Sequence, residues 1–113
     1  VTRNYRPPEL FGDAVDHDVC AVDAWSTGVV LAEVLSRRVR LFRSSKDDCS
    51  DVLRQIRSLD LHTTLRAGWK QPKNASGWFR FSSMCSIVEA SLMQAIPKRR
   101  SSMQHVHEQF LHV

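Results

Sequence analysis

Residues 21–35, AVDAWSTGVVLAEVL, leave this chain the fewest choices. Val22, Trp25, Val29, Val30, Leu31, Val34 and Leu35 fall on more than one side of a helix, and a helix apolar on several faces is normally enclosed by protein. A membrane span needs ~20 apolar residues with few charges. Here Asp23 opens the stretch, Ser26 and Thr27 interrupt it, and Glu33 and Arg37 close it. The pattern therefore predicts a central core helix, entered through a polar cap at Asp23 or Asp18. Gly28 in its interior costs about 1 kcal/mol relative to Ala, which predicts that another backbone or a large ring comes close there.

The rest of the chain makes sense as material packed on that helix. Pro7 and Pro8 fix their own backbone and push Arg6 toward an extended conformation, so helix begins only at or after them. Residues 11–20, with Gly12, Asp13, Asp16 and Asp18, read as a loop. Residues 44–59 predict an amphipathic helix capped by Ser45 or Asp48, with Val52, Leu53, Ile56 and Leu59 at helical spacing. A further stripe, Ile87, Val88, Leu92, Met93 and Ile96, predicts a helix over 86–96 that stops at Pro97. A last helix is expected over about 103–111. Between them, residues 60–83 mix Gly68, Pro72, Asn74 and Gly77 with Trp69, Trp78, Phe79 and Phe81, and read as loop-rich. Those rings are either a partner-docking patch or core anchors for a long loop, and general exposure statistics favour the anchors. The fold class is mainly α.

Composition narrows the function classes. The 113 residues are the size of one small domain, able to bury roughly 65% of its unfolded surface. The first residue is Val and already lies inside a loop motif, so the chain is expected to be a piece of something longer. The net charge of +4 comes from Arg clusters, at Arg37, Arg38, Arg40 and Arg43 and again at Lys98, Arg99 and Arg100. Such clusters bind phosphate or nucleic acid in some proteins. A solvated face is the preferred reading, because no aromatic interleaving accompanies them. Arg37 to Arg40 also follow the end of the central helix, where positive charge is favourable. Cys20, Cys49 and Cys85 are an odd number at wide spacings, which fits no zinc pattern or disulfide framework and suits a reducing compartment. His105, His107 and His112 lack a fourth ligand at metal spacing.

Two motifs carry a resemblance. D-A-W-S-T-G-V-V-L-A-E-V-L, residues 23–35, resembles the buried central helix of the eukaryotic protein kinase C-terminal lobe. Upstream, VTRNYRPPEL resembles the end of a kinase activation segment, T-R-x-Y-R-A-P-E, with Pro7 where Ala is commoner. The two stand in the right order and at the right distance. The form is most similar to the cyclin-dependent and mitogen-activated group, although Asn4 stands where many members carry an aromatic residue. The basic run continues the likeness, with one residue extra and no Pro-Gly. Leu92, Met93, Pro97 and Arg100 resemble the family's L-x-x-D-P-x-x-R, with Ile96 in place of the Asp.

The resemblance implies that 1–113 is a partial protein kinase domain, the helical C-terminal lobe from the end of the activation segment onward. It implies that Thr2, Arg3 and Arg6 shape a substrate-docking surface, that Asp23 holds a catalytic loop encoded upstream, and that Trp25 lies in the core. It also implies a buried ion pair between Glu9 and Arg100, with Arg99 an adjacent candidate for the cation. Phosphoryl transfer needs a nucleotide clamp, a Lys for the phosphates, a catalytic Asp and Asn, and a metal-binding Asp. The sequence has no G-x-G-x-x-G, H-R-D or D-F-G, so no catalytic residue, cofactor or metal is expected in this chain; ATP and Mg belong to the parent kinase. The implied partners are a protein substrate and a cyclin-like activator, with no membrane and no nucleic acid, inside the cell in nucleus or cytoplasm. Two functions stay open: part of a Ser/Thr kinase, or a truncated, catalytically dead kinase-like fragment acting as a protein-binding module.

Overall fold

The computed structural model describes residues 3–11, 18–43, 49–67 and 75–113, and among these every regular element is helical. Helix α1, Val19–Ser36, is the spine. Asp18 is its cap: held extended, it accepts a hydrogen bond from the Cys20 amide at 2.9 Å, satisfying one of the donors a helix start leaves over. Asp23, the other candidate, lies inside the helix. At the far end Arg37 sits in the left-handed region at φ 59°, which costs a side-chain-bearing residue roughly 1–2 kcal/mol. The reversal lets the Arg37 and Arg38 amides donate to the Val34 and Glu33 carbonyls at 3.3 and 3.1 Å, closing the helix.

The expectation of enclosure on all faces is corrected. Ala21, Val22, Ala24, Trp25, Gly28, Val29, Ala32 and Leu35 are buried, and they occupy one side of α1. Val30 and Val34 are 50% and 68% exposed, on the opposite side with Val19 and Asp23. The described elements that pack on α1 cover its Trp25 and Val29 side only.

Three more helices follow α1 before the chain reaches residue 88. Helix α2, Cys49–Ser58, buries Val52 and half-buries Leu53 and Ile56, as its spacing predicts. Its candidate caps Ser45 and Asp48 lie outside the described residues. The loop-rich reading of 60–83 is also corrected, since α3, Leu61–Ala67, and α4, Ala75–Ile87, occupy most of it. Asp60 starts α3, its carboxylate accepting from the Thr63 amide at 3.3 Å and the Thr63 hydroxyl at 2.8 Å. Those two bonds hold the Asp60 carboxyl below its usual range. The aromatics divide: Phe81 is buried against the core, its ring 5.8 Å from that of Trp78, whereas Trp78 and Phe79 are exposed. Trp69 lies outside the described residues.

Helix α4 ends in a π turn, Val88–Leu92, with the Met93 amide donating to Val88 O at 2.8 Å. This replaces the expected helix over 86–96, which starts earlier and stops at Leu92, leaving Ile96 exposed. The wider turn sets Leu92 and Met93 against α1. An Arg66–Glu89 ion pair ties α3 to the same turn. The last helix, α5, Met103–Leu111, has the predicted bounds, with Ser102 as its cap accepting from the His105 amide at 3.2 Å.

The contact between α1 and the π turn depends on Gly28. A Cβ there would lie 2.9 Å from Leu92 Cβ and 2.7 Å from Met93 Cγ, with the Leu92 carbonyl carbon at 3.5 Å. The close approach is thus a side-chain root and backbone, not a ring. Met93 can swing aside, but Leu92 Cβ moves only with the turn. We expect Gly28→Ala to destabilise the chain by about 1–2 kcal/mol, overpacking outweighing the gain in helix propensity; the urea unfolding midpoint measures it, and an unchanged or higher midpoint contradicts it.

Candidate functional site

The N-terminal segment 3–11 is where the sequence concentrates its motif residues, and the fold pins it to α1 at two points. Its backbone makes two short 3-10 turns, Arg3–Tyr5 and Pro8–Phe11, on either side of the buried Pro7. Proline supplies fixed φ and no amide to satisfy, so a buried Pro7 leaves only a carbonyl, which accepts from the Leu10 amide at 3.1 Å.

The first anchor centres on Glu33. One carboxylate oxygen accepts from the Tyr5 hydroxyl at 2.8 Å, and the other accepts from the Leu41 amide at 3.0 Å. Ser26 adds a hydroxyl hydrogen bond to the Tyr5 carbonyl at 2.8 Å. A single acid side chain thereby joins segment 3–11 to the loop that leaves α1. The hydrogen bond to Glu33, reinforced by burial and by the negative charge it faces, pushes the Tyr5 phenol up from 10.0, with Arg40 pulling the other way.

The second anchor is a bidentate ion pair. Arg100 donates from Nη1 to Glu9 Oε2 at 2.6 Å and from Nη2 to Glu9 Oε1 at 2.8 Å. Its Nη1 also donates to the Ala21 carbonyl at 3.0 Å and its Nε to the Gln94 carbonyl at 2.8 Å. The guanidinium lies 5.2 Å above the Trp25 ring. The Arg100 side chain is 0% exposed and that of Glu9 17%. A charge taken fully out of water is tolerated only when its donors are matched, and here the fork geometry of arginine does the matching. One side chain thus links segment 3–11, the first turn of α1 and the chain leaving α4.

Glu9, Trp25 and Arg100, proposed from sequence, therefore come together, and Arg99 is exposed. Asp23 is exposed on the outer side of α1. Arg6 is half-buried with its guanidinium 5.6 Å above the Phe11 ring. The Arg3 backbone forms the first turn; the Arg3 side chain and all of Thr2 lie outside the described residues. Sequence reasoning missed Glu33, Tyr5 and Ser26 as a unit. The available signal was a lone carboxylate late in an otherwise apolar helix.

The arrangement is suited to holding a segment in place. Among the described residues no three His, Cys, Asp or Glu side chains gather to hold a metal, and burial pushes the Cys85 thiol up, away from the reactive thiolate. The sequence carries none of the motifs G-x-G-x-x-G, H-R-D or D-F-G, and the contacts described above are structural.

A family model described as a protein kinase domain matches residues 1–111. No solved structure matches the chain.

Two measurements test the anchors. Glu9→Ala and Arg100→Ala are each expected to cost about 3–5 kcal/mol, and the double variant clearly less than their sum; independent effects in the double-mutant cycle would dissolve the pair. Arg100→Lys should recover little, lacking the fork. For Tyr5 the raised folded pKa makes its contribution fully present below the unfolded value of 10.0 and lost as pH climbs through the folded one. Stability should therefore fall above about pH 10 less steeply in Tyr5→Phe than in the unaltered chain. Equal alkaline slopes would refute the Tyr5 assignment.

Proposed function

The chain belongs to the protein kinase domain family, and on that premise we propose that it is the C-terminal-lobe part of a Ser/Thr kinase of the cyclin-dependent-like group. In this reading the parent transfers the ATP γ-phosphate to protein Ser or Thr, with ATP and Mg held by sequence upstream. This part supplies the core of the lobe and the loop on which the substrate lies. The observation that carries the reading is the double anchoring of segment 3–11, at Tyr5 and Ser26 on one side and at Glu9 on the other. A loop fixed at both ends presents its middle without paying ordering entropy when a peptide arrives. Thr2, Arg3 and Arg6 would form the docking surface beside it. Asp23, exposed near the start of α1, would be the tether for the catalytic loop of the parent kinase. The partners are a protein substrate and a cyclin-like activator, not a membrane or nucleic acid, in the nucleus or cytoplasm.

The test is a phosphotransfer assay on a protein that contains this chain together with its upstream sequence. Arg6→Ala should raise the KM for a Ser/Thr peptide about tenfold, the scale of one lost charged hydrogen bond, with the KM for ATP unchanged. The isolated 113 residues should show no saturable ATP binding by calorimetry. A protein that captures partners but transfers no phosphate would overturn the enzyme reading in favour of a binding module.

A further inference from the structure

The loop that joins α1 to α2 carries Arg37, Arg38, Arg40 and Arg43 within seven positions. A helix C-terminus favours nearby cations, but the effect fades within about one turn. It accounts for Arg37 and Arg38 and leaves Arg40 and Arg43 unexplained. These side chains line a concavity of about 540 Å³, completed by Val39, Leu41 and Gln55, and among the described residues that line it none is acidic. A second hollow of about 280 Å³ shares Arg38, Leu41 and Gln55 with it but is lined on its far side by Phe42 and Asp60, so the basic site is confined to the first.

Residues 41–43 of this loop are held in place. Leu41 and Phe42 are buried, the Leu41 amide is fixed by Glu33, and Gln55 of α2 brackets Arg43, accepting from its amide at 2.9 Å and donating to its carbonyl. Arg38, Arg40 and Arg43 are exposed, and among the described residues no carboxylate pairs with any of the three. Glu33, near the end of α1, directs its two oxygens to the Tyr5 hydroxyl and the Leu41 amide. Like charges placed side by side repel one another, and an anion in the groove removes that repulsion.

We propose that the groove between the α1–α2 loop and α2 binds an acidic segment of a partner protein, its carboxylate or phosphate groups paired with Arg38, Arg40 and Arg43. A protein segment is favoured over nucleic acid because the basic concavity is walled by Leu41, Val39 and Gln55, and among the described residues that line it there is no ring on which a base could stack. The surface needs no phosphoryl transfer and stands whether or not the parent is an active kinase.

Fluorescence anisotropy on the intact chain tests the proposal, with three labelled 12-residue peptides: one rich in Glu, one carrying phosphoserine, and a Gln-substituted control of the same length. The Glu or phosphoserine peptide should bind about tenfold tighter than the control, the sum of a few exposed charge pairs, and weaken with added salt. Which of the two binds better identifies carboxylate or phosphate as the group recognised. The triple variant R38Q/R40Q/R43Q should lose that preference while keeping the helical circular dichroism of the parent. A control variant, R54Q/K98Q/R99Q, removes the same charge from exposed positions elsewhere and should keep it. Equal loss in both variants, no preference for acidic peptides, or tighter binding of a single-stranded RNA of matched charge would each overturn the proposal.

Discussion

A guanidinium with no contact with water must find every partner inside the protein, and in this chain that requirement organises the fold. Arg100 reaches Glu9 in segment 3–11, the Ala21 carbonyl in the first turn of α1, the Gln94 carbonyl after the π turn and the face of Trp25. These groups are far apart in sequence, so satisfying one buried cation fixes three stretches of chain relative to each other. Such a pair is not a cheap source of stability, since two hydrophobic groups of similar shape often do as well. Its effect here is positional: only one arrangement of the three stretches leaves no charge stranded.

The same logic explains why α1 can be the spine while half of it stays open. Its buried side receives the π turn across Gly28, and the tightness of that contact comes from the absent side chain. On the other side Val30 and Val34 are exposed, since none of the described elements packs there. Glu33 sits at the border between the two sides and uses both oxygens to secure Tyr5 and Leu41. Its position late in the helix lets one carboxylate serve the loop that arrives and the loop that leaves.

Function follows from what these anchors hold out. The segment that resembles a kinase substrate-docking loop is gripped at both ends, and the basic loop between α1 and α2 is gripped by Glu33, Gln55 and two buried side chains. Membership of the protein kinase domain family supplies the context for the first region; the second rests on the charge and shape of the groove alone.

By itself the sequence determined the elements whose signal is local. The apolar run of α1, the i, i+3, i+4 spacing of α2 and the bounds of α5 need only near neighbours, whereas the choice of Asp18 over Asp23 as the cap of α1 came from the structure. Family motifs brought Glu9, Trp25 and Arg100 into one proposal, because residues distant in sequence leave no periodic trace of their pairing. The helices α3 and α4 were hidden by Gly68, Pro72 and Gly77 beside large rings, whose burial depends on what the rest of the fold places next to them. Which valines of α1 meet solvent, how Leu92 comes against Gly28 through a widened turn, and how Glu33 divides its two oxygens were decided only in three dimensions. Periodicity measures how apolar a face is, and only the packed neighbours settle whether anything covers it.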